Sequence, residues 1–267
     1  MKGRLFKCFI LIMALPAFVL PILVLGYILY QGVPSLMEII GASNGRLLTG
    51  QMLGSLLLMV GACLIASPVA LGLAIFLHSK PQDSPWLSKI SGLLYLLQGI
   101  PPIVYGLCGL AALVHLLQWG VSLLAGMVIL SVVILPMLTL NCHHALNRIP
   151  AEYTEAGRSL GLGQKDILIR VWIPVAWPGL VTAILLSLAR TLSETAPILF
   201  TATVFAGVIW PGSWFSPVTT LQTQIFYLAQ EGLNDQAIHS AWAAAMILVA
   251  LISLFSLAAL WLRHRYS

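Results

Sequence analysis

Charge is what this sequence has least of. Asp, Glu, Lys and Arg together make up 8% of the 267 residues, and 60% are apolar, against about 25% and about 45–50% in a soluble domain. So few charges cannot cover the surface of a water-soluble fold of this length, and that class is excluded. Cysteine is scarce as well. The four cysteines, Cys8, Cys63, Cys108 and Cys142, lie far apart within or at the ends of apolar runs, with neither the pairing of an exported disulfide framework nor metal-ligand spacing. Cys142-His143-His144 is no exception, since adjacent residues point different ways on a helix, and no metal is expected. No phosphate loop of the form G-x-x-x-x-G-K-[ST] occurs, so the chain carries none of the usual nucleotide-binding signature. The formal net charge of +5 is spread over short loops and forms no basic patch, which argues against nucleic acid as a partner.

What is present is a series of long apolar runs. A membrane crossing needs roughly 20 such residues for a hydrocarbon core of about 30 Å. Six candidate spans emerge, at roughly 8–30, 52–77, 93–117, 121–141, 176–207 and 241–262. The first follows a basic start, Lys2 and Arg4, but it outlasts the roughly 7–15-residue core of a signal peptide and no small-x-small cleavage site follows, so it reads as a retained span. The fifth is long enough to continue past one crossing or to be broken within it. Pro101-Pro102 is placed to bend the third. The expectation is an all-α integral membrane protein folded as one domain over residues 1–267, embedded in a lipid bilayer.

Orientation follows from the basic residues. With the N-terminus inside, Lys2, Arg4, Lys7, Lys80, Lys89, Arg148, Arg158, Lys165, Arg170, Arg263 and Arg265 fall on the cytoplasmic side, which is eleven of the thirteen. Arg46 falls outside and Arg190 within the fifth run. Both termini are therefore expected in the cytoplasm, with an even number of crossings. The connection near Trp119-Gly120 is so short that spans three and four must be antiparallel neighbours. The last external loop, about 208–240, contains no Lys or Arg, and its Trp210, Trp214 and Phe215 suit an interface-lying segment.

The cytoplasmic stretch 142–175 holds seven charges. Within it, Glu152 to Gly161 reads as an amphipathic helix. Pro150 precedes it, Glu152 and Glu155 oppose the positive end of the helix dipole, and Gly161 permits the left-handed turn that follows many helices. A second short helix is expected from about Lys165 to Trp172, ended by Pro174. Read without further context this is an ordinary solvated loop, but its spacing is specific. Glu155-Ala156-Gly157, three residues, Gly161, nine residues and Val171-Trp172-Ile173-Pro174 resemble the EAA loop of ABC-transporter permeases, with Gly157 in place of the second alanine. That resemblance implies a type I ABC importer permease fold in which this segment is a coupling helix, docking into a cleft of a nucleotide-binding subunit. Glu155, Ala156, Gly157, Gly161 and Pro174 are then the coupling residues. The Mg-ATP belongs to the partner, and this chain is a non-enzymatic subunit with no cofactor of its own.

The fifth run contains Arg190-Thr191-Leu192-Ser193-Glu194-Thr195-Ala196-Pro197. A charge at membrane depth costs at least roughly 2.5–3.5 kcal/mol, so it faces protein or a watery path. Arg190 and Glu194, four apart, share a helix face, and Pro197 withholds the N–H that the Ser193 carbonyl would accept. On its own the pair reads equally as structural neutralisation or as a transport site. A guanidinium that donates in pairs suits a tetrahedral oxyanion.

Leu188 to Ala202 is similar to the Ala-Arg-Ala-x-Gly-Glu-Thr-Ala-Pro-Leu-Leu-Phe-Thr-Ala stretch of PstA-type phosphate permeases, with Thr191 and Ser193 as departures. Gly99-Ile100-Pro101-Pro102-Ile103-Val104-Tyr105-Gly106 resembles that family's Gly-x-Pro-Ser-x-x-Tyr-Gly segment, and Ser240-Ala241-Trp242-Ala243-Ala244-Ala245 its entry into the last span. This likeness implies phosphate import across a bacterial cytoplasmic (inner) membrane, with a substrate path at Arg190, Ser193, Glu194, Thr195 and Tyr105. It also implies a PstC-like permease partner, two nucleotide-binding ATPase subunits and a periplasmic phosphate-binding protein. The rival readings are an importer for phosphonate, molybdate or sulfate, an autonomous channel or secondary transporter, and a membrane enzyme. For the last, His115, His143, His144 and His239 form no recognisable constellation.

Overall fold

A computed structural model describes residues 2–41, 45–81, 84–204, 210–231 and 235–265. The side chains of Lys2, Arg4, Lys7, Cys8 and Arg46, and the stretch 205–207 where the fifth run was expected to end, lie outside the described residues. Among the described residues eleven helices follow one another: α1 (Lys2–Gly41), α2 (Gly45–His78), α3 (Pro85–Gly99), α4 (Pro102–Gly109), α5 (Leu123–Leu146), α6 (Ala151–Ser159), α7 (Gln164–Ile167), α8 (Ile173–Leu192), α9 (Ala196–Thr201), α10 (Leu221–Glu231) and α11 (Asp235–Arg265). π-Helical turns extend α4 through Leu110–Leu116 and join α7 to α8 through Leu168–Trp172. Five stretches among the described residues are long and apolar enough to cross a membrane: Met13–Ile39, Leu48–His78, Leu123–Leu146, Gln164–Leu192 and Ala237–Arg265.

The expected third span is a bent pair, with α3 and the α4 segment meeting at 88°. Pro101 causes this. It excludes its predecessor from the helical region, and Ile100 accordingly sits extended at φ −71°, ψ 126°. The bent pair still makes a crossing, because α2 and α5 run parallel. At one end, His78 Nδ1 and Asn147 Oδ1 lie 2.8 Å apart; toward the other, Leu58 and Gly61 of α2 meet Gly126 and Met127 of α5. The chain between them must therefore return across the bundle. α8 runs back from the α6 end, and α11 then returns to it, bringing Arg263 alongside Arg148. The structure thus provides six crossings.

The core is the packing of α2, α5 and α8. Ala62, Ala66, Ala70 and Ala74 are all buried on α2. At four-residue intervals they form one face, and small side chains let membrane helices approach closely. Ile134, Leu138, Cys142, Ala145 and Leu146 of α5 and Ala176, Leu180 and Ala183 of α8 complete the cluster. α1 sits outside this core against α11, where Tyr27 and Trp242 meet edge-to-face at 5.2 Å and Ser35 Oγ lies 3.0 Å from His239 Nδ1. The sequence gives no sign of α10 as an element of its own. Thr220 Oγ1 caps its start by accepting from Thr223 N at 3.3 Å.

Pro174 does not end the helix before it. The chain runs on helically from α7 through the π-turn into α8. Ile173 N donates to Leu168 O, five residues back. The ladder is thus already displaced where Pro174 withholds its N–H, and the ring is taken up without a break.

Candidate functional site

Where the fifth run was expected to kink, the helix stops. α8 ends at Leu192, Ser193 and Glu194 form a turn, and α9 begins at Ala196. Glu194 N donates to Thr191 O at 3.2 Å, and Ser193 Oγ folds back to donate to Arg190 O at 2.7 Å. Pro197 lies in the first turn of α9, where no intrahelical N–H is needed. Thr195, partly buried, occupies the cap position of α9. The break leaves α8's last carbonyls to find other donors. Gln222 of α10 supplies one: its Nε2 donates to Leu192 O at 2.7 Å while its Oε1 accepts from Ser55 Oγ of α2 at 2.9 Å. Ser55 Oγ in turn accepts from Leu221 N at 3.0 Å. Three helices are thereby pinned at the break. The sequence reading missed Gln222 and Ser55, for nothing local pairs residues so far apart.

Arg190 Nη2 and Glu194 Oε1 lie 2.6 Å apart, and the pair is asymmetric: 5% of the Glu194 side chain is accessible against 49% of Arg190. The carboxylate is the buried holder, and the guanidinium keeps donors free to face outward. Arg190 lines a cleft of about 240 Å³ together with Tyr105, Gln98 and Met137. Tyr105 OH donates to Leu97 O at 2.8 Å, bridging the 88° bend, so its hydroxyl is a structural donor whose lone pairs alone remain for the cleft. Gly106 brings the two regions together. A Cβ there would sit 3.0 Å from Ala196 O and from Pro197 Cα, so a glycine is what lets α4 lie against α9. Of the predicted path residues, Arg190 and Tyr105 line this cleft, and Glu194 lies behind it through its pair with Arg190. Ser193 is exposed and turned back onto its own helix.

At the other end of α8 the segment expected to act in coupling is built onto the core. α6 spans Ala151–Ser159 and Gly161 takes φ +77°, the left-handed turn expected of it. Gly157 is buried and faces its own chain, since a Cβ there would meet Ile167 Cγ1 at 3.5 Å and Leu162 Cδ1 at 3.6 Å. It is therefore turned away from the exposed face of α6. Trp172 Nε1 donates to Thr154 Oγ1 at 3.0 Å, and the same indole meets His78 edge-to-face at 4.5 Å. His78 reaches Asn147, whose Nδ2 lies 3.0 Å from His143 Nε2. α6 is thus tied to the ends of α2, α5 and α8. Glu155 and Ala156 lie on its exposed face, beside Tyr153 and the 81% exposed Leu160, two outward apolar residues that the sequence reading did not single out. Pro174 is exposed on α8.

The family model described as the binding-protein-dependent transport system inner membrane component matches residues 84–267. The chain is 37% identical over 159 residues to a protein named phosphate transport system permease protein PstA 2 from Mycobacterium tuberculosis, which covers 60% of this chain and 52% of that protein. It is 30% identical over 212 residues to PstA of Xylella fastidiosa, covering 79% of this chain and 73% of that one. It thus spans about half the length of the mycobacterial relative. Among solved structures it is similar to an inward-facing conformation of the MetNI methionine ABC transporter, with TM-score 0.66 and 19% identity, covering 85% of this chain and 98% of that one. An amino acid ABC transporter follows with TM-score 0.56, covering 84% and 97%. These structural likenesses carry the fold, which is that of an ABC importer permease. The multi-pass membrane protein described here belongs to the binding-protein-dependent transport system inner membrane components, and among them it resembles the PstA-type permeases.

Proposed function

We propose that this chain is a permease subunit of an ATP-driven, binding-protein-dependent importer of inorganic phosphate, oriented with its α6 end in the cytoplasm. One observation carries the reading. At the break of α8, within the stretch that resembles phosphate permeases, Arg190 presents its guanidinium to a cleft while the buried Glu194 holds it from behind. A planar guanidinium donates in pairs to a tetrahedral oxyanion, and the neighbouring carboxylate weakens that attraction enough for release.

Phosphate is delivered to the external end by a periplasmic binding protein, passes Arg190 between this chain and a PstC-like permease, and leaves at the α6 end. Two nucleotide-binding subunits supply ATP hydrolysis. Their motion enters through α6, whose exposed Tyr153, Glu155, Ala156 and Leu160 suit a docking cleft. Eleven basic residues on that side of the proposed topology support the orientation. Arg190→Gln is expected to abolish uptake of radiolabelled phosphate by reconstituted vesicles while the complex still assembles; undiminished uptake removes the reading. Competition by unlabelled sulfate, molybdate and phosphonate in the wild-type vesicles identifies the oxyanion, and stronger competition by one of these than by phosphate reassigns the substrate.

A further inference from the structure

A second cationic cleft lies on the same groove, nearer the α6 end. His144 of α5, Arg148 in the turn that follows it and Arg263 of α11 converge on a cavity of about 360 Å³ between α5 and α8. The two clefts share their walls. Gly179, Thr182, Leu186 and Arg190 recur at three- and four-residue steps along α8, as do Met137, Asn141 and His144 along α5, so each set forms one helix face, and Arg148 follows in the turn after α5. An anion passing Arg190 toward the α6 end therefore meets this second cluster next.

The two sites differ in charge. Arg190 is offset by Glu194, whereas no Asp or Glu lines the second cleft among the described residues. The polar groups there are donors: two guanidinium forks, an imidazole that donates in either tautomer, and the Asn141 amide. Thr182 offers no proton, since its hydroxyl already donates to Pro178 O at 2.8 Å. The rest of the wall is apolar, with Ala183 and Leu186 below the charges. Two arginines in a cleft free of carboxylates select an oxyanion, and their forks match a phosphate group.

We propose that Arg148, His144 and Arg263 form a second binding site for a phosphate group, at the α6 end of the α5–α8 groove. That chemistry has two sources. One is inorganic phosphate leaving Arg190, an arm that rests on the proposed import function. The other is the headgroup of an anionic lipid at the membrane surface, whose acyl chain would lie along Ala183 and Leu186.

The test uses the full chain in an Arg190→Gln background, so that binding at the first cleft does not register. Equilibrium dialysis in an uncharged maltoside detergent measures radiolabelled orthophosphate. Native mass spectrometry from phosphatidylcholine nanodiscs with and without phosphatidylglycerol counts retained anionic lipid. Adding Arg148→Gln with Arg263→Gln is expected to weaken one of these two ligands by at least roughly tenfold, the loss of one charge-assisted contact or more. Loss of orthophosphate marks a release site for the transported anion, and loss of phosphatidylglycerol marks a lipid site. Equal binding of both ligands with and without the double substitution overturns the proposal. If the double variant does not fold, Arg263→Gln alone, at the exposed end of α11, is expected to act in the same direction by a few-fold, and no change there overturns the proposal equally. Leu186→Trp, which fills the apolar floor and keeps every charge, separates the sources by reducing lipid retention more than orthophosphate. Failure here leaves the Arg190→Gln uptake result untouched, so the two readings fall independently.

Discussion

At the residue scale the centre of interest is an ion pair whose halves do different work. The i, i+4 spacing of Arg190 and Glu194 was legible in the sequence, and the structure joins them at 2.6 Å. What spacing could not give was the asymmetry of burial, which is a property of the packed bundle. Gln222 and Ser55 were illegible for the same reason: their bond joins residues 167 apart, and a single sequence carries no record of such a pair. The asymmetry yields a prediction. Glu194→Gln keeps the size of the side chain but removes the charge that offsets Arg190. Phosphate should then be held more tightly and released more slowly, so that both the KM for uptake and the maximal rate fall, each by roughly three- to tenfold if 0.7–1.4 kcal/mol of attraction is at stake. Initial rates over a range of phosphate concentrations check this. A raised KM at an unchanged maximal rate would instead mean that Glu194 only shapes the cleft.

At the scale of elements, two sites at which prolines were expected to interrupt a helix behave differently, and their positions decide the outcome. Pro101-Pro102 turns a span by 88° because Ile100 is forced out of the helical region and Tyr105 then ties the corner. Pro174 does nothing of the kind, because a π-turn precedes it. Residue type was therefore legible and consequence was not, since the register of the surrounding hydrogen bonds decides it. The coupling segment was read more fully. Its helix and the left-handed turn at Gly161 follow from local rules, but the inward face of Gly157 follows from its contact with Ile167, ten residues on. Gly157→Ala places its methyl in ordinary contact at 3.5 Å and relieves a helix-interior glycine, so stability should rise by roughly 0.5–1 kcal/mol with uptake intact. Gly157→Leu has no room there. It should lift α6 from Ile167 and Trp172 and leave ATP hydrolysis by the assembled complex running without phosphate uptake. Melting temperature and the ratio of hydrolysis to uptake measure the two variants. Normal coupling in Gly157→Leu would mean that the seating of α6 on α8 does not matter.

For the whole molecule, the six apolar runs appear among the described residues as five long helices and one bent pair, and the parallel course of α2 and α5 makes that pair a crossing. The side chains that establish that course, His78 with Asn147 and Leu58 with Gly126, carry no signal of adjacency in sequence. The alanine stripe of α2 was there to be read at four-residue spacing, yet its partner was not. The crossing by α8 places α6 and the 210–218 loop on opposite faces of the membrane, and the orientation proposed from the basic residues puts α6 in the cytoplasm. Two exposed serines make this measurable, Ser159 at the end of α6 and Ser213 between Trp210 and Trp214. In a chain with its four native cysteines replaced, a membrane-impermeant maleimide should label Ser213→Cys in intact spheroplasts and Ser159→Cys only after lysis. Labelling of both from outside would mean that α8 does not cross. Labelling of Ser159→Cys alone would put α6 outside, through inversion of the chain or a re-entrant α3–α4 pair, and would reverse the direction in which an anion travels from Arg190 to Arg148.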